Sequence, residues 1–164
     1  MNKKSTIFIV EDNIMVAEAM AWELRKDPRY IIKTFSVGET MLLSLNKKPQ
    51  VIVLDFNLNS EYYDAKNALH ILKEIKNIPT IILSGNKDIS TAIRAIHLGA
   101  CDYISKDNTN YFEEVGKSIN AIVSNKLEKE EIQSLQYKTK KDYLRMSILI
   151  AFFITSIVLS LKYF

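Results

Sequence analysis

Only one cysteine, Cys101, occurs in the 164 residues, so an internal disulfide is excluded. The two histidines, His70 and His97, form no Cys/His cluster with metal-ligand spacing. A reducing compartment is therefore the default. The four glycines compose neither a P-loop nor a dinucleotide-binding pattern, which leaves nucleotide binding unsupported. Charge of one sign is also scarce, with a net of +3 and basic residues mixed among acidic ones over most of the chain. That distribution lacks the concentrated basic face that nucleic acid requires. The first apolar run is cut off by Glu11-Asp12, too soon for a secretion signal. There are no repeats and no low-complexity segments. Both histidines fall in predicted helices with no matching nucleophile, and they read as surface or boundary residues.

What is present is an alternation of short apolar runs and amphipathic stretches. Thr6–Val10 is nearly continuous and rich in β-branched residues, as expected of a strand buried on both faces. Asn13–Lys26 places Val16, Ala19, Met20 and Leu24 at helical spacing, and Pro28 breaks it. Tyr30–Phe35 predicts a second strand and Val37–Asn46 a helix before Pro49. Val51–Leu54 is the clearest buried strand and ends at Asp55. Ala65–Lys76 is helical by its apolar spacing, and Pro79 introduces a strand over Thr80–Leu83 that turns out through Ser84-Gly85. Asp88–Leu98 predicts a helix stopped by Gly99 as a C-cap, and Asp102–Ser105 is the last strand. Five strands alternating with helices imply right-handed crossovers and a doubly wound, parallel α/β sheet. Beyond Asn110 one long helical stretch begins, with Phe112, Val115, Ile119, Ile122 and Val123 forming a face for the sheet.

In such open sheets ligands bind beyond the carboxyl ends of the strands. The predicted strand ends here carry Glu11-Asp12, Asp55, Ser84 and Ser105-Lys106. Three carboxylates drawn together repel unless a cation intervenes. Oxygen-only ligation suits Mg²⁺, which takes few protein carboxylates and keeps room for phosphate oxygens. A lysine and a hydroxyl opposite them suit phosphoryl transfer onto a carboxylate.

Four segments carry a specific resemblance: Glu11-Asp12, Val51-Ile-Val-Leu-Asp55, Ile81-Ile-Leu-Ser-Gly85 and Gly99-Ala-Cys-Asp-Tyr-Ile-Ser-Lys106. In order and spacing the chain resembles a response-regulator receiver domain of two-component signalling over residues 1–123. The resemblance implies a flavodoxin-like five-stranded parallel sheet in the order 2-1-3-4-5, with an extended C-terminal helix. It implies that Asp55 accepts a phosphoryl group from a sensor histidine kinase or phosphotransfer protein. Mg²⁺ would be held by Asp12, Asp55 and the backbone carbonyl of Asn57, with Glu11 acting through water. Lys106 would bind a phosphoryl oxygen, Ser84 would hydrogen-bond the modified carboxylate, and Tyr103 would change rotamer with it. Such a protein is not an enzyme beyond its own phosphoryl transfer and dephosphorylation.

The chain departs from the family in two places. The stretch after Asp55 lacks the usual proline and glycine and is longer by several residues, about Asn59–Lys66; Asn67 stands where a glycine is usual. Glu61, Tyr62, Tyr63 and Asp64 would lie where a kinase could touch them, but a solvated insertion is the favoured reading because surface loops absorb insertions readily. Asp107 replaces the proline that commonly follows the lysine. Two other readings compete. A haloacid-dehalogenase-like phosphohydrolase needs a second acid where this chain has Asn57, and no cap domain is evident. A pseudo-receiver adaptor would have no use for an intact acidic pocket.

A composition shift marks the remainder. Residues 124–143 read as a helical linker and 144–164 as a transmembrane helix. Met146–Leu161 holds sixteen residues without a charge, a helix of roughly 24 Å against a hydrocarbon core of about 30 Å. A helix apolar all round must be buried in protein or lipid. Lys138, Lys140, Lys141 and Arg145 precede it and Lys162 stands after it, a bias that places the receiver in the cytoplasm and anchors it at the membrane. Ser147, Ala151 and Thr155 recur at four-residue spacing, which suits helix–helix contact and leaves a homodimer open. The competing reading is a soluble dimerisation or partner-binding helix. Beyond Asn125 the chain reads as linker and tail, so no DNA-binding or catalytic output domain is expected.

Overall fold

The computed structural model describes residues 4–58, 68–75, 77–85 and 89–162. Five strands, β1 (Ser5–Val10), β2 (Tyr30–Phe35), β3 (Val51–Asp55), β4 (Thr80–Ser84) and β5 (Asp102–Ser105), form one sheet. Its order is β2-β1-β3-β4-β5 and every neighbouring pair is parallel. Helices α1 (Ile14–Arg25), α2 (Gly38–Leu42), α3 (Ala68–Glu74), α4 (Ile89–His97) and α5 (Tyr111–Lys162) connect or follow the strands. This is the expected flavodoxin-like arrangement.

The two-residue period of the strands divides the core cleanly. Ile7, Ile9, Val51, Val53, Ile81 and Leu83 face α1 and the start of α5, packing on Met20, Leu24, Val115, Ile119 and Val123. Phe8, Val10, Ile52, Leu54 and Ile82 face the other way, onto Met41, Ala68, Ile71, Leu72 and Ala95 of α2, α3 and α4. Strands β3 and β4 are buried at every residue, which is why their sequences run apolar without alternation. At Gly38 a Cβ would overlap Ile71 Cδ1, so any larger residue there would require the Ile71 side chain to shift. Among the described residues, Tyr30 has a buried hydroxyl without a hydrogen-bond partner. An unsatisfied buried hydroxyl costs free energy. Tyr30→Phe is accordingly expected to raise stability by about 1 kcal/mol, read as a shift in the urea midpoint; an unchanged or lower midpoint would contradict it.

The helix expected over Val37–Asn46 is shorter. Helix α2 stops at Leu42, and a 3₁₀ turn succeeds it over Leu45–Lys47. Ser44 and Lys47 donate backbone bonds to Met41 and Ser44, three residues back, and Lys48 closes the turn at φ 53°. Tightening the last turn in this way brings Leu42 and Leu45 onto the core while Leu43 stays exposed. Gly99 does cap α4, with φ 102° and amide bonds Gly99–Ile96 and Ala100–Ala95 closing the end. The Asn59–Lys66 insertion and Asn67 lie outside the described residues.

By backbone contacts the chain divides into two compact units, Met1–Val123 and Ser124–Phe164. The second unit is helical throughout its described length. Its apolar side chains from Leu144 to Leu159, including Phe152, Phe153 and Ile154, are exposed. An 18-residue window within α5 has mean hydropathy 1.7 and none of it is buried, so the helix is long and apolar enough to cross a membrane.

Candidate functional site

The site is assembled by the ends of three adjacent strands and one loop. Residue Glu11 comes directly after β1, and its amide bonds to Phe35 O at the end of β2. The side chain is only 2% exposed. Asn13 then caps α1, its Oδ1 accepting from the amides of Met15 and Val16, so the turn that presents Glu11 and Asp12 is fixed by a helix start. Asp55 ends β3, is buried, and its Oδ1 accepts the Asn57 amide at 3.3 Å. The ligand-type oxygens of Glu11, Asp12 and Asp55 all lie within 4.8 Å of one another.

Lys106 enters from the far side. Its amide donates to Ser84 O at 2.8 Å, tying the exit of β5 to the end of β4. Its ammonium stands 2.6 Å from Glu11 Oε2 and 3.0 Å from Asp55 Oδ1. Burial acts against the charge on Lys106, but hydrogen bonds and attraction from Glu11 and Asp55 outweigh it and hold the pKa above the ordinary value. The Glu11 carboxyl is pushed up, chiefly by burial and also by Asp55, with the Lys106 bond opposing. Among the described residues, then, Lys106 is the cation that serves both buried carboxylates.

The raised Glu11 pKa has a pH signature. A carboxyl whose folded pKa lies above its unfolded value binds more protons when folded, so its contribution falls as pH rises through the folded pKa. The contribution of Glu11 to the stability of the metal-free chain is expected to fall upward from the ordinary glutamate range of about 4.3. The slope should flatten in Glu11→Gln. Chemical unfolding in chelator across that range checks it, and equal slopes in both proteins would count against it.

Of the residues singled out in the sequence, Glu11, Asp12, Asp55 and Lys106 are brought into one cluster. Ser84 is fully buried at the end of β4, in register with Ser105. Tyr103 pairs with Ile82 on β5 and packs on the cluster under α2, α3 and α4. Asn57 lies in the turn after β3. One neighbour is not legible in the sequence. Tyr111, the first residue of α5, has its pKa raised by burial, with charges on Lys106, Glu11 and Asp55 all reaching it. Nothing in the local sequence signals that role, because it depends on where α5 starts relative to β5.

Similar proteins match this arrangement. Over 105 residues the chain is 35% identical to a protein-glutamate methylesterase/protein-glutamine glutaminase of Cereibacter sphaeroides, covering 63% of this chain and 29% of that one. An NtrX-like response regulator of Rickettsia conorii is 35% identical over 107 residues, 63% of this chain and 22% of the relative. The chain thus spans less than a third of the length of these relatives. A response regulator from Chloroflexus aurantiacus superposes with a TM-score of 0.63 at 25% identity, over 74% of this chain and 99% of the other. The signal receiver domain of a Luxo repressor protein from Vibrio parahaemolyticus gives 0.67 at 22% identity, over 77% and 95%, and supports the fold. Residues 7–113 match the family described as the response regulator receiver domain, and on that match, over well more than half of its length, the chain belongs to the response regulator receiver family.

Proposed function

We propose that the chain is a phosphoacceptor in two-component signalling, phosphorylated on Asp55 by a sensor histidine kinase or phosphotransfer protein with Mg²⁺ as cofactor. The observation that carries the reading is the buried Asp55 carboxylate, 3.0 Å from the Lys106 ammonium and grouped with Glu11 and Asp12. The donor set fits a hard divalent cation: oxygen atoms only, from three grouped carboxylates. Asp12, Asp55 and the Asn57 carbonyl would hold the ion, with Glu11 acting through water. When bound, Mg²⁺ supplies the positive charge that lets an anionic phosphoryl group approach a carboxylate.

The chain's own residues supply the rest. An oxygen of Asp55 attacks the phosphorus of a phosphohistidine. A P–O bond forms as the P–N bond breaks, and the imidazole nitrogen leaves with the bonding pair and takes up a proton from solvent. Lys106, already beside Asp55, holds a phosphoryl oxygen as charge moves. Ser84 hydrogen-bonds the modified carboxylate, and Tyr103 moves with it. Because Lys106 is bonded to Glu11 as well, its transfer toward a phosphoryl group loosens the β1 and β5 exits together, a local charge event of the kind that biases a two-state surface. The tail, 144–164, would carry this switch at a membrane, with the domain of residues 1–123 on the cytoplasmic side and 124–143 as linker.

Incubation of the full chain with acetyl phosphate and Mg²⁺, followed by intact mass and Phos-tag analysis, tests the proposal. A metal-dependent, base-labile adduct absent from Asp55→Ala is expected. Mg²⁺ should also stabilise the wild type by about 2.7 kcal/mol at a hundredfold excess over Kd, and Asp12→Asn should lose that gain. Absence of adduct with acetyl phosphate and with a phosphohistidine donor would favour a phosphorylation-independent adaptor.

A further inference from the structure

The two histidines lie on different helices, yet they line one groove. His70 and Lys73 of α3 and Arg94 and His97 of α4 surround an open space of about 420 Å³, floored by Leu69 and Leu98. That volume is within the range of small-ligand sites. Four of the six lining residues carry basic nitrogen and none carries a carboxylate. Among the described residues, neither Lys73 nor Arg94 is engaged in an ion pair. This differs from the α1–α5 groove, where Lys26, Arg29 and Lys117 are paired with Glu23, Asp27 and Glu113.

Basic residues in a last helical turn often serve the helix's own carbonyl end. In α4 that end is closed by backbone amides instead. Arg94 O and Ala95 O accept from Leu98, Ile96 O accepts from Gly99, and Ala95 O accepts from Ala100. Arg94 and His97 are both exposed, and Lys73 lines the groove with them.

We propose that this α3–α4 groove binds a phosphate-class anion, with Arg94 supplying a forked pair of donors, Lys73 a point charge and His97 a further N–H donor. The anion's source is either a soluble phosphate or the headgroup of an anionic lipid, and the chemistry of recognition is the same. The ligand would bridge α3 and α4, the helices that follow β3 and β4. The site does not depend on phosphorylation of Asp55.

With only two histidines in the chain, their imidazole C–H resonances report the groove directly. The full chain would be placed in neutral phosphatidylcholine nanodiscs with chelator and titrated with inorganic phosphate and with pyrophosphate. Both resonances should shift on one saturable curve, and Lys73→Ala and Arg94→Ala should each weaken the apparent affinity by about tenfold or more. Asp55→Ala should leave the curve unchanged, so loss of the acyl-phosphate reading would not remove this one. Discs containing phosphatidylglycerol separate the sources: shifts already complete without added phosphate assign the ligand to lipid. The proposal is overturned if neither source moves the resonances saturably, or if both substitutions leave the curves unaltered.

Discussion

Lys106→Met is expected to reduce phosphorylation of Asp55 by about 10²–10³-fold, the scale lost when a preorganised charge partner of a developing anion is removed. Methionine keeps much of the aliphatic stem and deletes only the ammonium. Glu11 and Asp55, both buried, then lose the ammonium that bridges them. Breaking a buried pair by removing one partner costs about 3–5 kcal/mol when the survivor stays charged. Here the cost is limited, because burial already raises the Glu11 pKa and the carboxylate can take up a proton instead. Linkage sets the sign: the variant's Glu11 pKa rises further, the folded state binds more protons than the unfolded one, and the deficit grows with pH. Stability in chelator should therefore be close to wild type in acid and clearly lower in alkali, with Mg²⁺ restoring part of it. Chemical unfolding at both extremes, alongside labelling rates, measures this. A variant labelled at the wild-type rate, with a parallel stability profile, would remove Lys106 from the proposed chemistry.

On the proposed membrane-spanning reading of 144–164, Phe153→Arg is expected to detach the chain from membranes, and truncation after residue 143 should do so completely. Ten of the sixteen residues from Met146 to Leu161 are Ile, Leu, Phe or Val, each worth about 0.3–0.6 kcal/mol at the centre of a spanning helix. The sum, roughly 3–6 kcal/mol, is set against about 2.5–3.5 kcal/mol for one central arginine. Because the uncharged stretch is shorter than a typical hydrocarbon core, the balance has little reserve, and one charge at Phe153 consumes most of it. The same arginine near the end, at Ser147, should be tolerated by snorkelling. Flotation with liposomes and resistance to alkaline carbonate extraction separate these outcomes. If wild type and Phe153→Arg stayed equally soluble and formed the same oligomer, a soluble association helix would be the better account of the tail.

The fold was readable because the sheet is buried on both sides. Runs such as Val51–Leu54 and Ile81–Leu83 are too short and too apolar for any place but a covered strand, and the intervening helices show their spacing. The acidic cluster was readable for a related reason, since strand ends in a parallel sheet collect at one edge. Three features were not. The short α2 depends on whether Leu45 reaches the core, which its helical pattern alone does not decide. Tyr111 joins the surroundings of the site only through the placement of α5 against β5. His70 and His97 looked like unrelated surface residues, because a groove between α3 and α4 has no periodic signal in either helix.

The division of the sheet into two faces has a consequence for synthesis. The face beneath α1 lacks its last cover until Val115, Ile119 and Val123 have been made. The uncharged run begins at Met146, 23 residues after Val123. At roughly 5–20 residues per second, that interval lasts about 1–5 s, within the folding times of mixed α/β domains. The two sticky surfaces thus emerge from the ribosome in sequence, and the first can be sealed before the second emerges to compete for it.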